Sequence, residues 1–112
     1  MQALFILYVG GSLMLVALSI PMWTGKVRPN GWYGFRVKQT LENPRLWYAV
    51  NRHAGKRLFV TGAGTLLAAI GLVLVPDISV DGYVLGCLAV FAILFVGGLG
   101  QSIRFMKAYR EE

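Results

Sequence analysis

Three stretches of this chain carry no Asp, Glu, Lys or Arg: Met1 to Gly25, Leu58 to Pro76 and Gly82 to Ile103. A helix rises about 1.5 Å per residue and a bilayer's hydrocarbon core is about 30 Å thick, so roughly 20 apolar residues are enough to cross it. All three stretches meet that length. The polar backbone must be satisfied internally in lipid, which leaves helices or a closed barrel, and three segments of this length cannot close a barrel. Composition agrees: 56% of the 112 residues are hydrophobic and 14% charged, too little polar surface for a soluble globule of this size. The expected fold is an all-α membrane protein. It has one domain, with transmembrane helices at about 3–24, 58–76 and 82–103, a loop at 25–57 that contains a short interfacial helix, and a tail at 104–112. The first stretch starts without a positive residue and shows no small-x-small cleavage pattern before Lys26, so it is read as a retained helix and not a cleaved leader.

The charged residues gather between the spans. The loop holds Lys26, Arg28, Arg36, Lys38, Arg45, Arg52, Lys56 and Arg57 against the single acid Glu42, while the turn after the second span holds Asp77 and Asp81. Lys and Arg near span ends favour the cytoplasmic side. The loop is therefore expected on the cytoplasmic side, the N-terminus outside, and the C-terminus, with Arg104, Lys107 and Arg110, on the cytoplasmic side. A net charge of +6 raises nucleic acid as a partner. Here every basic residue instead falls within reach of a membrane face, where anionic headgroups attract each by about 1 kcal/mol. Lipid headgroups are the expected partner and nucleic acid is not.

Residue order inside the loop carries more information than its charge. Pro29-Asn30-Gly31 is a turn signal, Gly34 offers a second position where positive φ costs nothing, and Trp32, Tyr33 and Phe35 alternate with these turns. Arg36 closes the aromatic turn, where a guanidinium suits bidentate binding of phosphate or carboxylate, or pairing with Glu42. Asn43-Pro44 starts a helix, Asn as N-cap and Pro at the first position. That helix places Trp47 and Asn51 on one face and Leu46 and Val50 on a neighbouring one, and leaves open a continuous run through Gly55 into the second span. Trp47 reads as an interfacial anchor. Asn30 and Asn51 are expected to hold backbone groups.

Pro29-Asn30, Gly34-x-Arg36, Thr40-Leu41, Trp47, Asn51-Arg52 and Gly55-Lys56, followed by a Gly-rich span, resemble the membrane module of the SdpI immunity-protein family. The resemblance covers about a third of the chain. It implies a bacterial inner-membrane protein related to those that protect a producing cell from its own secreted toxic peptide and take part in signalling. It also singles out Asn30, Gly34, Arg36, Thr40, Trp47, Asn51 and Arg52 as candidate binding residues. Two features depart from the family's pattern: Val37 stands where Thr is common, and the prototype's additional leading helices are absent.

Within the spans, small residues recur at helical spacing: Gly64, Ala68 and Gly71 in the second, Gly82 and Gly86 in the third, and Gly97, Gly98 and Gly100 near the third span's end. Such positions let helices approach closely, within one chain, in a homo-oligomer or in a larger assembly. No charge inside a span argues against a proton-coupled transporter. Cys87 and His53 each stand alone, without the companions of a metal site, and no nucleophile motif or phosphate or dinucleotide loop is present. The reading is non-enzymatic, with no cofactor, and a toxic peptide or another protein as the remaining candidate partner.

Overall fold

The computed structural model describes residues 2–30, 34 and 36–109. Four helices follow in order: α1 (Gln2–Trp23), α2 (Lys38–Glu42), α3 (Pro44–Val73) and α4 (Val80–Ala108). Three of them are long and apolar enough to cross a membrane, and the protein is a multi-pass helical membrane protein. Large side chains such as Ile6, Leu7, Leu67, Ile93 and Val96 point outward, at 65–71% exposure. In water so many exposed aliphatics would drive aggregation; in a bilayer they are the lipid-facing surface.

α3 is the central helix, with α1 and α4 packed along it. At 30 residues it is about 45 Å long, more than a hydrocarbon core of about 30 Å requires. Its surplus is the stretch from Pro44 to Arg57, which stands out at the basic end of the bundle. The helix begun at Pro44 therefore does not lie in the interface and then turn; it continues unbroken through Gly55 into the span.

Local chemistry sets the ends. Asn43 Oδ1 accepts from the backbone N–H of Arg45 at 3.1 Å and of Leu46 at 3.3 Å, and Pro44 follows at a position that needs no donor. Asn43→Ala is expected to lower stability by about 1 kcal/mol, measured as a thermal shift in detergent; an unchanged midpoint would show that packing alone sets this start. α1 ends in a Schellman arrangement: the Lys26 N–H donates to the Pro21 carbonyl at 2.9 Å and the Gly25 N–H to Met22 at 3.2 Å, with Gly25 at φ +74°. Ser79 caps α4 through the Gly82 N–H at 2.9 Å, and Asp81 lies in its first turn, where a negative charge is favourable.

Buried hydroxyls inside the spans are satisfied by their own helices. Ser12, Ser19, Thr61 and Thr65 donate to carbonyls three or four residues earlier, at 2.6–2.9 Å. At the Asp-bearing end, Tyr83 donates to the Ala69 carbonyl at 3.0 Å and Tyr8 to Val84 at 3.2 Å. The two rings meet edge to face, 5.9 Å apart, so Tyr8 bridges α1 to α4 there.

The glycine contacts divide unevenly. A Cβ at Gly64 would collide with Leu94, one at Gly86 would lie 2.7 Å from Leu72, and one at Gly98 would lie 2.9 Å from Arg57 Cβ, so these three make the α3–α4 seam. Around Gly71, Gly97 and Gly100 there is open space, so of the settings expected for these small residues, contact within the bundle does not apply to these three. Ala68, on the same span, is half-buried.

Candidate functional site

The basic end of α3 gathers most of the loop residues singled out from the sequence. Trp47 is fully buried within the protein, so its ring does not meet lipid as an interfacial anchor would, and this corrects that reading. Its indole N–H donates to the Val27 carbonyl at 2.9 Å, and its ring packs with Met22 of α1 and with Val27. One side chain thus ties together the end of α1, the start of the loop and the start of α3. A buried indole needs a partner for its donor, and here the partner lies 20 residues earlier in the chain.

One turn along α3, Asn51 is 2% exposed and donates Nδ2–H to the Trp47 carbonyl at 2.9 Å. Its Oδ1 lies against Gly34: a Cβ there would stand 2.6 Å from that oxygen and 3.4 Å from Trp47 Cζ2. Gly34 has φ +108°, the positive value expected from its place in the turn. Both reasons for glycine coincide, backbone conformation and lack of space.

Thr40 on α2 is fully buried; its Oγ1 accepts from the Val37 N–H at 3.0 Å and donates to the Val37 carbonyl at 2.9 Å. Asn30 donates to the Arg28 carbonyl at 2.6 Å. Asn30 and Asn51 therefore both hold backbone groups, as expected. Arg52 is exposed, with its guanidinium across Gly25, where an added Cβ would meet Nη2 at 2.8 Å. A cation there faces the carbonyl end of α1, favourable for the helix dipole. Arg36 and Glu42 are both exposed. Gly31, Trp32, Tyr33 and Phe35 of the aromatic turn lie outside the described residues, as does Arg110.

His53 joins α3 to α4: Nδ1 is 3.1 Å from Ser102 Oγ, and the ring stacks on Phe105 at 4.7 Å. It stands ahead of the charge-free run. Burial, followed by the nearby Arg57 and Lys56 cations, pushes its pKa below the ordinary histidine value. A neutral ring suits this setting. Among the described residues no group of three or more His, Cys, Asp or Glu could hold a metal.

Sequence reasoning missed Gly62 as a contact and took Gly55 only as part of the loop pattern. These two carry the α1–α3 approach. A Cβ at Gly55 would lie 2.5 Å from the Trp23 backbone nitrogen, and one at Gly62 would lie 3.0 Å from the Ser12 carbonyl oxygen. Their spacing of two helical turns was the available signal.

A helical membrane bundle whose basic end is closed by a glycine, asparagine and tryptophan lock defines a structural class before any name is attached. The family model described as the SdpI/YfhL protein family matches residues 26–101, more than half of the chain, and the chain belongs to that family. The match begins at Lys26, the last donor of the α1 cap, and takes in the loop, α2, α3 and most of α4. No curated protein and no solved structure matches the chain.

Proposed function

We propose that this chain is a non-enzymatic immunity or signalling protein of the bacterial inner membrane, of the SdpI type, which protects against or senses a secreted toxic peptide through its ordered basic loop. The observation that carries the reading is the family match over residues 26–101, which includes the Trp47, Asn51 and Gly34 lock. Its supporting orientation has the basic end in the cytoplasm and the N-terminus outside, as the distribution of Lys and Arg favours. In this reading the helices or the outer Asp77–Asp81 turn meet the hydrophobic peptide, while the loop meets a cytoplasmic protein or anionic lipid.

The test is a deletion strain challenged with secreted peptides, scoring survival and membrane potential. Restoring the native chain should restore survival, whereas Arg36→Ala should lose protection by at least ~10-fold, about 1.4 kcal/mol in the underlying interaction, while accumulating normally in the membrane. Survival unaffected by deletion across a broad peptide panel would remove the immunity reading.

A second reading, an accessory subunit of a larger membrane assembly or a homo-oligomer, is favoured by the open space around Gly71 and Gly97. Under it, bulky residues at those two positions abolish co-purification with the partner and Arg36→Ala is mild.

A further inference from the structure

At the basic end, a cavity of 310 Å³ lies between α1, α3 and α4, with Gly34 of the loop also on its lining. Leu18 and Met22 of α1 and Leu99 of α4 give it apolar walls, and Arg57, Thr61 and Ser102 supply its polar groups. Among the described residues Arg57 is the one charged residue on the lining, which includes no carboxylate. Its Nε is buried and has no hydrogen-bond partner among the described residues. Burying a cationic donor without an acceptor is costly, and the guanidinium that carries it is best matched by an anion within reach of its outer nitrogens.

Two further observations narrow the anion's identity. The first is depth: Arg57 directly precedes the charge-free run that starts at Leu58, and Ser102 directly precedes the last residue of the run that ends at Ile103. On α3 charge begins at Arg57, whereas on α4 the residue opposite it is Gly98, six residues before the first charge at Arg104, so the guanidinium reaches into the apolar zone, where an anion that carries an acyl chain is favoured over a hydrated one. The second is the lining, mostly apolar around one cation. A fully hydrated ion gains nothing from Leu18 and Leu99, whereas a lipid presents phosphate and acyl chain together. The Arg57 stem is also held in place, since α4 lies against it at Gly98, where an added Cβ would come within 2.9 Å of Arg57 Cβ.

We propose that this cavity is a binding site for an anionic membrane phospholipid, its phosphate held by Arg57 with Ser102 beside it and its acyl chain along Leu18 and Leu99. The site adjoins the Trp47 lock, with which it shares Met22 and Gly34, and does not depend on the immunity reading. A guanidinium suits phosphate through its planar array of donors.

The test uses the full chain purified in neutral detergent, with phosphatidylglycerol, phosphatidylcholine or inorganic phosphate added, read by native mass spectrometry and by the thermal midpoint. Phosphatidylglycerol should remain as a one-to-one adduct and raise the midpoint by about 5 °C, while phosphatidylcholine and inorganic phosphate do neither. Arg57→Gln should cut adduct retention by at least ~10-fold. Leu99→Trp, at a position 41% exposed and so tolerant of size, should do the same by filling the cavity. Arg104→Gln, a basic change outside the lining, should keep the adduct. Equal retention of both lipids, inorganic phosphate matching the lipid, or equal loss in Arg104→Gln would overturn the site. If Arg57→Gln does not fold, Leu99→Trp decides, and an adduct that survives it refutes the proposal.

Discussion

Gly55→Leu is expected to detach α1 from α3 and to cost about 3 kcal/mol or more of stability. The reason is what the new side chain would meet. Its Cβ would stand 2.5 Å from the Trp23 backbone nitrogen, 2.9 Å from Met22 Cβ and 3.0 Å from the Met22 carbonyl carbon. A flexible side chain can swing aside, but two of these atoms are backbone, and they belong to the residues that form the α1 cap. Gly62→Leu repeats the collision two turns further on, against the Ser12 carbonyl oxygen at 3.0 Å and Leu15 Cβ at 3.1 Å. Gly71→Leu and Gly97→Leu are the controls. Both positions are exposed with open space around them, and leucine is the better helix former, so each should be neutral or slightly stabilising. Unfolding in detergent, followed by proteolysis of the segment between α1 and α3, separates the two groups. Equal resistance in Gly55→Leu and Gly71→Leu would show that the α1–α3 approach does not hold the bundle together.

That contrast also explains which parts of the architecture could be read without coordinates. Three charge-free runs demand three spans, because each buried charge would be expensive, and no knowledge of packing is needed. Asn43-Pro44 and Gly34 were legible for a similar reason: a cap, or a positive φ, is a requirement of the local backbone. Glycine stripes are different. Spacing shows which small residues share a helix face, but the phase of that face against its neighbours is a tertiary property. Hence Gly64, Gly86 and Gly98 turn out to face a neighbouring helix, Gly71 and Gly97 to face open space, and Gly62 went unnamed. The cavity around Arg57 was invisible for the same reason, since its walls come from three helices far apart in sequence.

Trp47 is the hardest case, and the variant that tests it carries the second large effect. A tryptophan among basic residues beside a span has two destinations, the headgroup layer or the core, and composition favours the first. The deciding contact is the Val27 carbonyl, which no local pattern reveals. Trp47→Ala should cost about 3–5 kcal/mol by opening a void beneath Met22 and Val27. Trp47→Phe should cost about 1–3 kcal/mol, because it keeps most of the apolar volume and strands the buried carbonyl. Both losses should speed amide exchange at residues 26–30 and leave the three spans inserted, since the change lies outside the charge-free runs. A headgroup anchor would behave otherwise. Its phenylalanine variant would be close to neutral, its alanine variant would respond to bilayer composition, and exchange in the loop would stay as it was. Measuring both substitutions in detergent and again in a bilayer therefore distinguishes a lock from an anchor. With a lock, Trp47→Phe stays destabilised in both settings, and exchange at residues 26–30 stays fast in both.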